Sequence, residues 1–164
     1  LLFKQAKIST ADRKTTVAAK ERQEKSGVPS SAIELADGTI ITAESSPLLG
    51  PSAALLLNAT KHLAGIDHSV KLIPQEMIEP IQKTKVTYLH GHNPRLHTDE
   101  VLVALSMLST TDGNCRRALE TLPLFNGCQV HSTVLLSEVD RKTFNKLGVG
   151  LTCDPVLKIK KTNV

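Results

Sequence analysis

The stretch that decides the fold is QVHSTVLLSEVDRKTFNKLGVGLTC, residues 129–153. Its first part, 129–136, is rich in β-branched and aliphatic side chains and predicts a strand. Ser137, with Asp140 three positions later, predicts the start of a helix that runs to Leu147. Residues 149–153 predict a second strand. Because a strand, a helix and a strand follow one another, the stretch indicates an α/β domain.

Strands and helices continue to alternate upstream of this stretch. Residues 32–35 and 39–42 flank the turn signal Asp37-Gly38 and predict a β-hairpin. Residues 52–64 carry leucines and almost no charge, which predicts a helix buried on nearly all sides. The other predicted elements are a polar helix at 9–27, a short strand at 70–73, a helix at 74–89 with Pro80 as a kink or first-turn residue, a helix at 98–109 with Thr98 as its N-cap, and a helix at 115–122. We therefore expect an α/β layered domain with a short mixed sheet packed by helices.

The net charge of +4 over 164 residues is unevenly placed. Residues 1–27 hold seven basic and three acidic side chains, whereas residues 28–164 hold thirteen of each. We therefore divide the chain into a polar helical leader or linker from a longer chain at 1–27, an α/β domain at 28–157 and a basic tail at 158–164. The start at Leu1 instead of Met fits a fragment, a processed chain or the ordered part of a longer protein.

The composition argues against two classes of partner. The chain has one Tyr, three Phe and no Trp, and its body after residue 27 is neutral, so we expect no nucleic-acid partner. No apolar run approaches the ~18 residues that span a bilayer, so we expect no membrane partner. The cysteines Cys115, Cys128 and Cys153 are odd in number and show no CxxC spacing. This argues against a disulfide framework or a structural zinc site and fits a reducing, cytoplasmic setting.

Four phrases carry a family resemblance. They are SPLLGPSAALLLNATKHLAGI at 46–66, IEPIQ at 78–82, NPRLHTDEVLVALS at 93–106, and GCQVHSTVLLSEVD with KLGVGLTCDP at 127–140 and 146–155. Over about residues 28–156 the chain resembles the C-terminal part of the bacterial family called domain of unknown function 1846, also known as uncharacterised protein family 0371. The resemblance implies a longer protein whose preceding part carries a Gly-rich, P-loop-like phrase absent from this chain. It implies no particular chemistry.

The first candidate site is the loop at 46–52, which opens the predicted buried helix. The free N–H groups and the positive dipole end of a helix start attract anions. Ser46 and Ser52 add hydroxyl donors, and Gly50 permits close approach of a phosphate. The loop offers no Lys and does not match GxxxxGK[ST]. With Pro51 at the first helical position, the alternative is a loop that only caps a buried helix.

The second candidate is HGHNPRLHTDE at 90–100, where three His, one Arg and two acids fall within eleven residues. We assign ligand binding to Arg95, which can clamp a carboxylate or phosphate bidentately, and to Asn93 beside it. His97 is the candidate general acid or base near neutral pH. Asp99 or Glu100 can orient His97, and we assign this role to Asp99.

Two alternatives remain open for the same segment. His90 and His92, two positions apart on an extended segment, point to the same face and are compatible with a metal held together with Asp99 or Glu100. Their spacing is not a diagnostic zinc signature. In the other alternative Thr98 caps the following helix, the acids interact with its dipole, and the arginine is structural.

The third candidate is the segment at 128–133, which contains Cys128 and His131. Within a strand these two side chains point to opposite faces, so a Cys–His dyad requires a bulge. His131, with Ser132 or Thr133 at the strand end, can instead join a site built by the other loops, or it can be a satisfied core histidine. Cys128 fits a small buried apolar residue.

Two classes of function follow. The first is an enzyme domain for a small anionic or phosphorylated substrate, with Arg95 and the helix start at 50–52 binding the anion, His97 and Asp99 transferring a proton, and His131 contributing from its strand. The second is a non-catalytic assembly or regulatory domain that docks on a nucleotide-binding-like domain, the N-terminal domain of the same longer protein. We expect a homo-oligomer, and the sequence assigns neither a cofactor nor a metal.

Overall fold

A computed structural model describes residues 13–154 and confirms the α/β layered fold. One sheet contains four strands in the order β2-β1-β3-β4. The strands are β1 Ser30–Glu34, β2 Ile40–Glu44, β3 Gln129–Ser132 and β4 Gly150–Cys153. Strand β1 pairs antiparallel with β2 and β3, and β3 pairs parallel with β4, so the sheet is mixed. The parallel pair is the strand–helix–strand unit that residues 129–153 predict.

Six α-helices lie within the described residues. They are α1 Lys14–Ser26, α2 Pro51–Ala64, α3 Gln75–Lys83, α4 Thr98–Leu108, α5 Gly113–Leu119 and α6 Glu138–Lys146. A π-helical turn, Thr84–Tyr88, continues α3, and a 3₁₀ turn, Leu122–Phe125, precedes β3. Pro80 lies inside α3. Because proline has no backbone N–H, one helical hydrogen bond is missing about one turn before the π-helical turn begins.

Two apolar cores hold the layers together. On one face of the sheet, Ile33 and Val130 belong to a core that also contains Leu55 and Leu56 of α2. A second core joins α2, α4 and α5 and includes Leu105. Because α2 contributes to both cores, it connects the sheet to the outer helices.

Helix α1 covers the opposite face of the sheet. It packs against β1, β2 and β3 and buries Thr15, Thr16 and Ala19. Arg22 fastens it to β2, since its Nε donates to Glu44 Oε1 at 2.6 Å. A helix that is almost entirely polar in sequence therefore packs on the sheet through small side chains.

Two predicted elements are wrong in type or extent. Residues 70–73 form no strand; instead Leu72 and Ile73 are buried in the second core, where short apolar runs fill space between helices. The strand predicted at 129–136 ends at Ser132, because the Ser132 hydroxyl bonds to both the N–H and the carbonyl of Val134 and turns the chain.

Two predicted helix starts also need correction. The N-cap of α4 is His97, and Thr98 is the first helical residue. The helix predicted at 115–122 begins two residues earlier at Gly113, because Asp112 Oδ1 accepts from the N–H groups of Asn114 and Cys115.

Residues 1–12 and 155–164 lie outside the described residues, and so do the start of the helix predicted at 9–27 and the basic tail at 158–164. The division of the chain at residue 27 stays a prediction. Between residues 13 and 154, every helix is too short or too polar to cross a membrane.

Candidate ligand-binding cleft

A cleft lies where β3 ends and its loop to α6 meets the loops that precede α2 and α4. Its volume is about 420 Å³. It is lined by Gly50, Pro51, Asn93, Arg95, Leu96, His97, Val134, Leu135, Leu136, Ser137 and Asp140. The carboxyl ends of parallel strands are where α/β sheets commonly bind ligands. The first two candidate loops of the sequence therefore meet in one cleft.

A short backbone pairing joins these two loops. Leu49 and Leu96 form an isolated parallel bridge. Leu96 N donates to Leu48 O at 3.0 Å, and Gly50 N donates to Leu96 O at 3.3 Å. Because Leu96 is itself buried, the pairing sets Arg95 and His97 beside the start of α2.

Three helices begin at the cleft. The N-caps of α2, α4 and α6 are Gly50, His97 and Ser137, and each of them lines it. A helix start carries roughly half a positive charge and presents N–H groups that the helix itself does not use. The backbone alone therefore makes this cleft attractive to anions.

The start of α2 has no side-chain cap. Ala54 N donates to Gly50 O, which leaves the N–H groups of Ser52 and Ala53 without an acceptor inside the helix. The Ser52 side chain is buried, and its Oγ has no hydrogen-bond partner within residues 13–154. Ser52, which the sequence assigned to the ligand, does not line the cleft, and the hydroxyls of Thr15 and Thr16 in α1 are also buried without a partner among the described residues.

Arg95 is held at the mouth of the cleft by two residues that the sequence assigned to the ligand. Its backbone N–H donates to Asn93 Oδ1 at 3.0 Å, and its Nε donates to the Ser46 carbonyl at 2.6 Å. The Ser46 hydroxyl accepts from the N–H groups of Leu48 and Leu49, so it shapes the loop. Asn93 and Ser46 therefore position the arginine, whose terminal nitrogens have no partner among the described residues.

His97 rests against an ion pair that the sequence did not predict. Lys85 Nζ lies 2.8 Å from Glu100 Oε1, and the His97 Nδ1 lies 3.5 Å from that Nζ and 3.4 Å from that oxygen. Glu100 Oε1 also accepts from the His97 N–H at 2.8 Å, and Lys85 Nζ donates to the Arg95 carbonyl at 2.6 Å. With Nδ1 directed at this pair, Nε2 is the ring nitrogen left for a ligand.

The same contacts determine the direction in which the pKa of Glu100 is shifted. Burial acts to raise the pKa of Glu100, but hydrogen bonds from Lys85 and from the His97 N–H, together with the charge of Lys85, outweigh it. The pKa of Glu100 therefore lies below its usual value, and the carboxylate is stabilised in its charged form.

Lys85 depends on the π-helical turn for its position. Gly91 N donates to the Lys85 carbonyl at 2.8 Å, and a Cβ on Gly91 would lie 2.9 Å from that oxygen. His90 lies between the π-helical turn and Gly91 and has a φ of 59°. The turn thus requires a glycine at 91, and π-helical turns are frequent at functional sites.

Asp99 does not take the orienting role that the sequence suggested for it. Its Oδ1 accepts from the Glu100 N–H, and the side chain lines a different groove between α3 and α4. The acid beside His97 is Glu100, the third residue of α4. Its side chain accepts from the N–H of the N-cap residue, as in a capping box. That pattern is readable in the sequence, whereas the contact with Lys85 is not.

Asp140 is the acid that sequence reasoning missed in the cleft. Its Oδ1 accepts from Thr98 N at 2.9 Å and from Thr98 Oγ1 at 2.7 Å, so a residue of α6 caps α4. Its own N–H donates to Ser137 Oγ. The sequence predicts Asp140 only as a partner of Ser137 at the start of α6. It does not predict the contact of Asp140 with Thr98, because the two residues are forty-two positions apart.

His131 lies away from the cleft. It pairs with Ala32 across the sheet, on the face that α1 covers, and it is fully buried. Its Nδ1 lies 2.7 Å from Thr152 Oγ1, and its Nε2 lies 2.9 Å from Asp154 Oδ1. Burial lowers the pKa of His131, against the opposing effect of Asp154. It is a satisfied interior histidine, not part of the cleft.

The remaining candidates stand apart as well. His90 and His92 are exposed, and residues 13–154 contain no group of three or more His, Cys, Asp or Glu placed to hold a metal. Cys128 is buried, with its Sγ 3.6 Å from the Leu124 carbonyl, and burial raises its pKa. Burial also raises the pKa of Cys115 to about 11, so neither thiol is activated.

Comparison with known proteins identifies relatives over nearly the whole chain. The family model described as "Domain of unknown function DUF1846, C-terminal" matches residues 11–162. A "UPF0371 protein" of Corynebacterium aurimucosum is 50% identical over 160 residues, which are 98% of this chain and 32% of the relative. One of Streptococcus pyogenes is 42% identical over 161 residues, 98% of this chain and 33% of the relative. The chain thus spans about a third of the length of these relatives.

Proposed function

The chain belongs to the family described as domain of unknown function DUF1846, C-terminal, and we propose that it binds a small anionic or phosphorylated ligand in the cleft between the starts of α2 and α4. The observation that carries the proposal is that the start of α2, which has no side-chain cap, meets Arg95 and His97 in one cleft, with Gly50 and Pro51 lining it at the helix start. The cleft volume of about 420 Å³ is within the range of roughly 300–1,000 Å³ typical of ligand pockets.

The positive groups of the cleft define the ligand class. The guanidinium of Arg95 is a donor in the lining, and the start of α2 adds its positive dipole end behind Gly50 and Pro51, so that the two together suit an oxyanion. Asp140 is the carboxylate in the lining, and two donors from Thr98 already occupy one of its oxygens. A phosphate or carboxylate in the cleft would therefore meet the Arg95 guanidinium and the start of α2.

His97 supplies the acid–base group of the proposal. Its Nδ1 rests against Lys85 and Glu100, and its Nε2 is available to exchange a proton with a bound substrate. Proton transfer needs Nε2 within about 3 Å of the reacting atom. The part of the longer protein that precedes this chain in its relatives would complete the reaction.

The direct test is calorimetric titration of this chain with inorganic phosphate and pyrophosphate at low salt. Charge-assisted bonds from Arg95 are worth roughly 1.5–3 kcal/mol, so Arg95→Ala should weaken binding by about tenfold or more. The matched control is Arg116→Ala, which removes an exposed arginine of α5 outside the cleft and should leave the affinity unchanged.

The same variants separate binding from folding. Arg95→Ala and His97→Ala should leave the melting temperature close to that of the unmodified chain. If both variants lower it and the affinity for phosphate and pyrophosphate is unaltered, the residues are structural. The non-catalytic assembly or regulatory domain is then the better description.

A further inference from the structure

We propose that the groove between α3 and α4 is the docking surface for the N-terminal part of the longer protein. This α3–α4 groove has a volume of about 400 Å³ and is lined by Met77, Ile81, Val103, Ala104 and Met107, with Asp99 and Glu100 at one end. The inference concerns a different surface from the ligand cleft and does not depend on what that cleft binds.

Large apolar side chains are exposed on the two helices that form the groove and on the segment after α3. Among the large hydrophobic side chains that are exposed in residues 13–154, six belong to α3, α4 and the segment after α3. They are Met77, Val86, Tyr88, Leu89, Val103 and Met107. Val103 is 61% exposed and Met107 66%. Met77, Val103 and Met107 also line the groove, and an apolar surface that a monomer leaves open marks a site of protein contact.

The segment at 75–93 is poorly buried in this chain, so its own packing contributes little to holding its helical conformation. Ile78 is its only fully buried residue, and the side chains that follow α3 are mostly exposed. A regular helix and a π-helical turn with so little packing gain little from the cores of this chain, since helix stability comes mostly from tertiary packing. A second surface laid on the groove would bury Met77 and Ile81 from the other side.

The length of the relatives identifies the occupant. The matching family is described as C-terminal, and the relatives place 32% and 33% of their chains in the match. About two thirds of each relative therefore lies outside it. Domains of one polypeptide usually share an interface of roughly 600–1,500 Å², and the α3–α4 groove is the apolar surface suited to it.

The charges beside the groove state the chemistry of the partner surface. Asp99 and Glu100 line one end of the groove, and Asp99 is exposed at the start of α4. The complementary surface is apolar at its centre and carries Lys or Arg at its edge. Since Glu100 belongs both to the groove and to the ion pair behind His97, the docked part would also border the ligand cleft.

The test compares this chain alone with a long protein in which it replaces the matching segment of the Corynebacterium aurimucosum relative. Val103→Cys and Met107→Cys are introduced singly, with Leu124→Cys as the control, because Leu124 is a comparably exposed leucine outside the groove. The rate of maleimide labelling at each site is followed by mass spectrometry of the peptides. Cysteine labelling requires an exposed thiolate.

We expect the labelling rates at 103 and 107 to fall at least about tenfold in the long protein, with the rate at 124 unchanged. Equal rates in the two proteins would overturn the proposal. So would protection in this chain alone that grows with its concentration, since the occupant is then a second copy. As a control for a poor fit between the two parts of the hybrid, the same three substitutions are made at the matching positions of the relative's own full-length chain. Labelling at the positions that match 103 and 107 is compared there with labelling at the position that matches 124.

Discussion

Lys85 shows how one side chain organises the candidate site. Its ammonium donates to the Arg95 carbonyl and to Glu100 Oε1 and lies near His97 Nδ1. Three residues of the second candidate loop therefore converge on one cation. No spacing rule identifies this lysine from the sequence, because it reaches the loop through a π-helical turn that helix periodicity does not anticipate.

Lys85→Met removes that cation at nearly constant length. We expect the pKa of Glu100 to rise, because the hydrogen bond and the charge of Lys85 are lost while burial remains. In the native protein the lowered pKa of Glu100 contributes stability above its unfolded value, and this is lost as pH falls through the folded pKa. The variant should therefore lose less stability on acidification, as measured by urea unfolding at several pH values and by carbon NMR of the carboxyl group.

Lys83→Met is the control for this variant, since Lys83 lies on the same helix and is exposed, with its Nζ 5.7 Å from the Tyr88 ring centroid. It should leave the titration of Glu100 as in the unmodified protein. An unchanged titration in Lys85→Met would show that the lysine does not govern this carboxyl.

His131 predicts a second dependence on pH of the same sign, although here burial favours the neutral form of the side chain. Burial lowers its folded pKa below the ordinary 6.5, so below that pH the unfolded state binds more protons than the folded state. The free energy of unfolding should therefore decrease as pH falls from about 6.5 toward the folded pKa. His131→Gln should remove this slope, which urea unfolding between about pH 5 and 7 measures.

The exposed His92 supplies the comparison, because His92→Gln changes a histidine without disturbing the interior. A slope that persists in His131→Gln and disappears in His92→Gln would contradict the assignment of the pH dependence to the interior histidine.

At the scale of elements, the starts of the helices link the site to the fold. Asp140 of α6 caps α4 by accepting from both Thr98 N and Thr98 Oγ1, and it is only 8% exposed. The sequence predicted both helices and the local role of Asp140 at Ser137. It could not predict the cap between them, because helix propensities and capping patterns describe neighbours along the chain.

Asp140→Ala should destabilise the protein by about 1–3 kcal/mol, because it leaves the buried Thr98 N–H and hydroxyl without an acceptor. Asp140→Asn keeps a carbonyl oxygen at the same position and should lose clearly less. Chemical unfolding of both variants measures the difference. Equal losses in the two variants would mean that the charge, not the acceptor, is what α4 requires.

The boundary corrections have the same physical origin. Three of the four residues at 70–73 are apolar, as in a strand, yet Leu72 and Ile73 pack between helices, and short apolar runs do not distinguish these cases. The hairpin and the strand–helix–strand unit were predictable because turn chemistry and periodicity act locally.

The sequence predicted His131 as a site residue because of its neighbours along the chain. The alternation of side chains along β3 instead directs it toward α1.

For the whole molecule, the layered fold brings two loops together at the end of the sheet. The loops at 46–52 and 90–100 were each predicted as candidate sites, and their pairing through Leu49 and Leu96 joins them. The sequence also assigned Arg95 and His97 to one local segment, and they do line one cleft. What it could not supply was the second layer of contacts, from Lys85, which depends on how separate elements pack.

The measurement that tests the central claim most directly is a phosphate titration of this chain followed residue by residue in amide NMR spectra. We predict saturable shifts at the amides of Ser52 and Ala53 and at the Arg95 side chain, with one dissociation constant, and loss of these shifts in Arg95→Ala. Saturable shifts that leave the start of α2 and Arg95 unmoved, or no saturable shift in the cleft, would contradict the account.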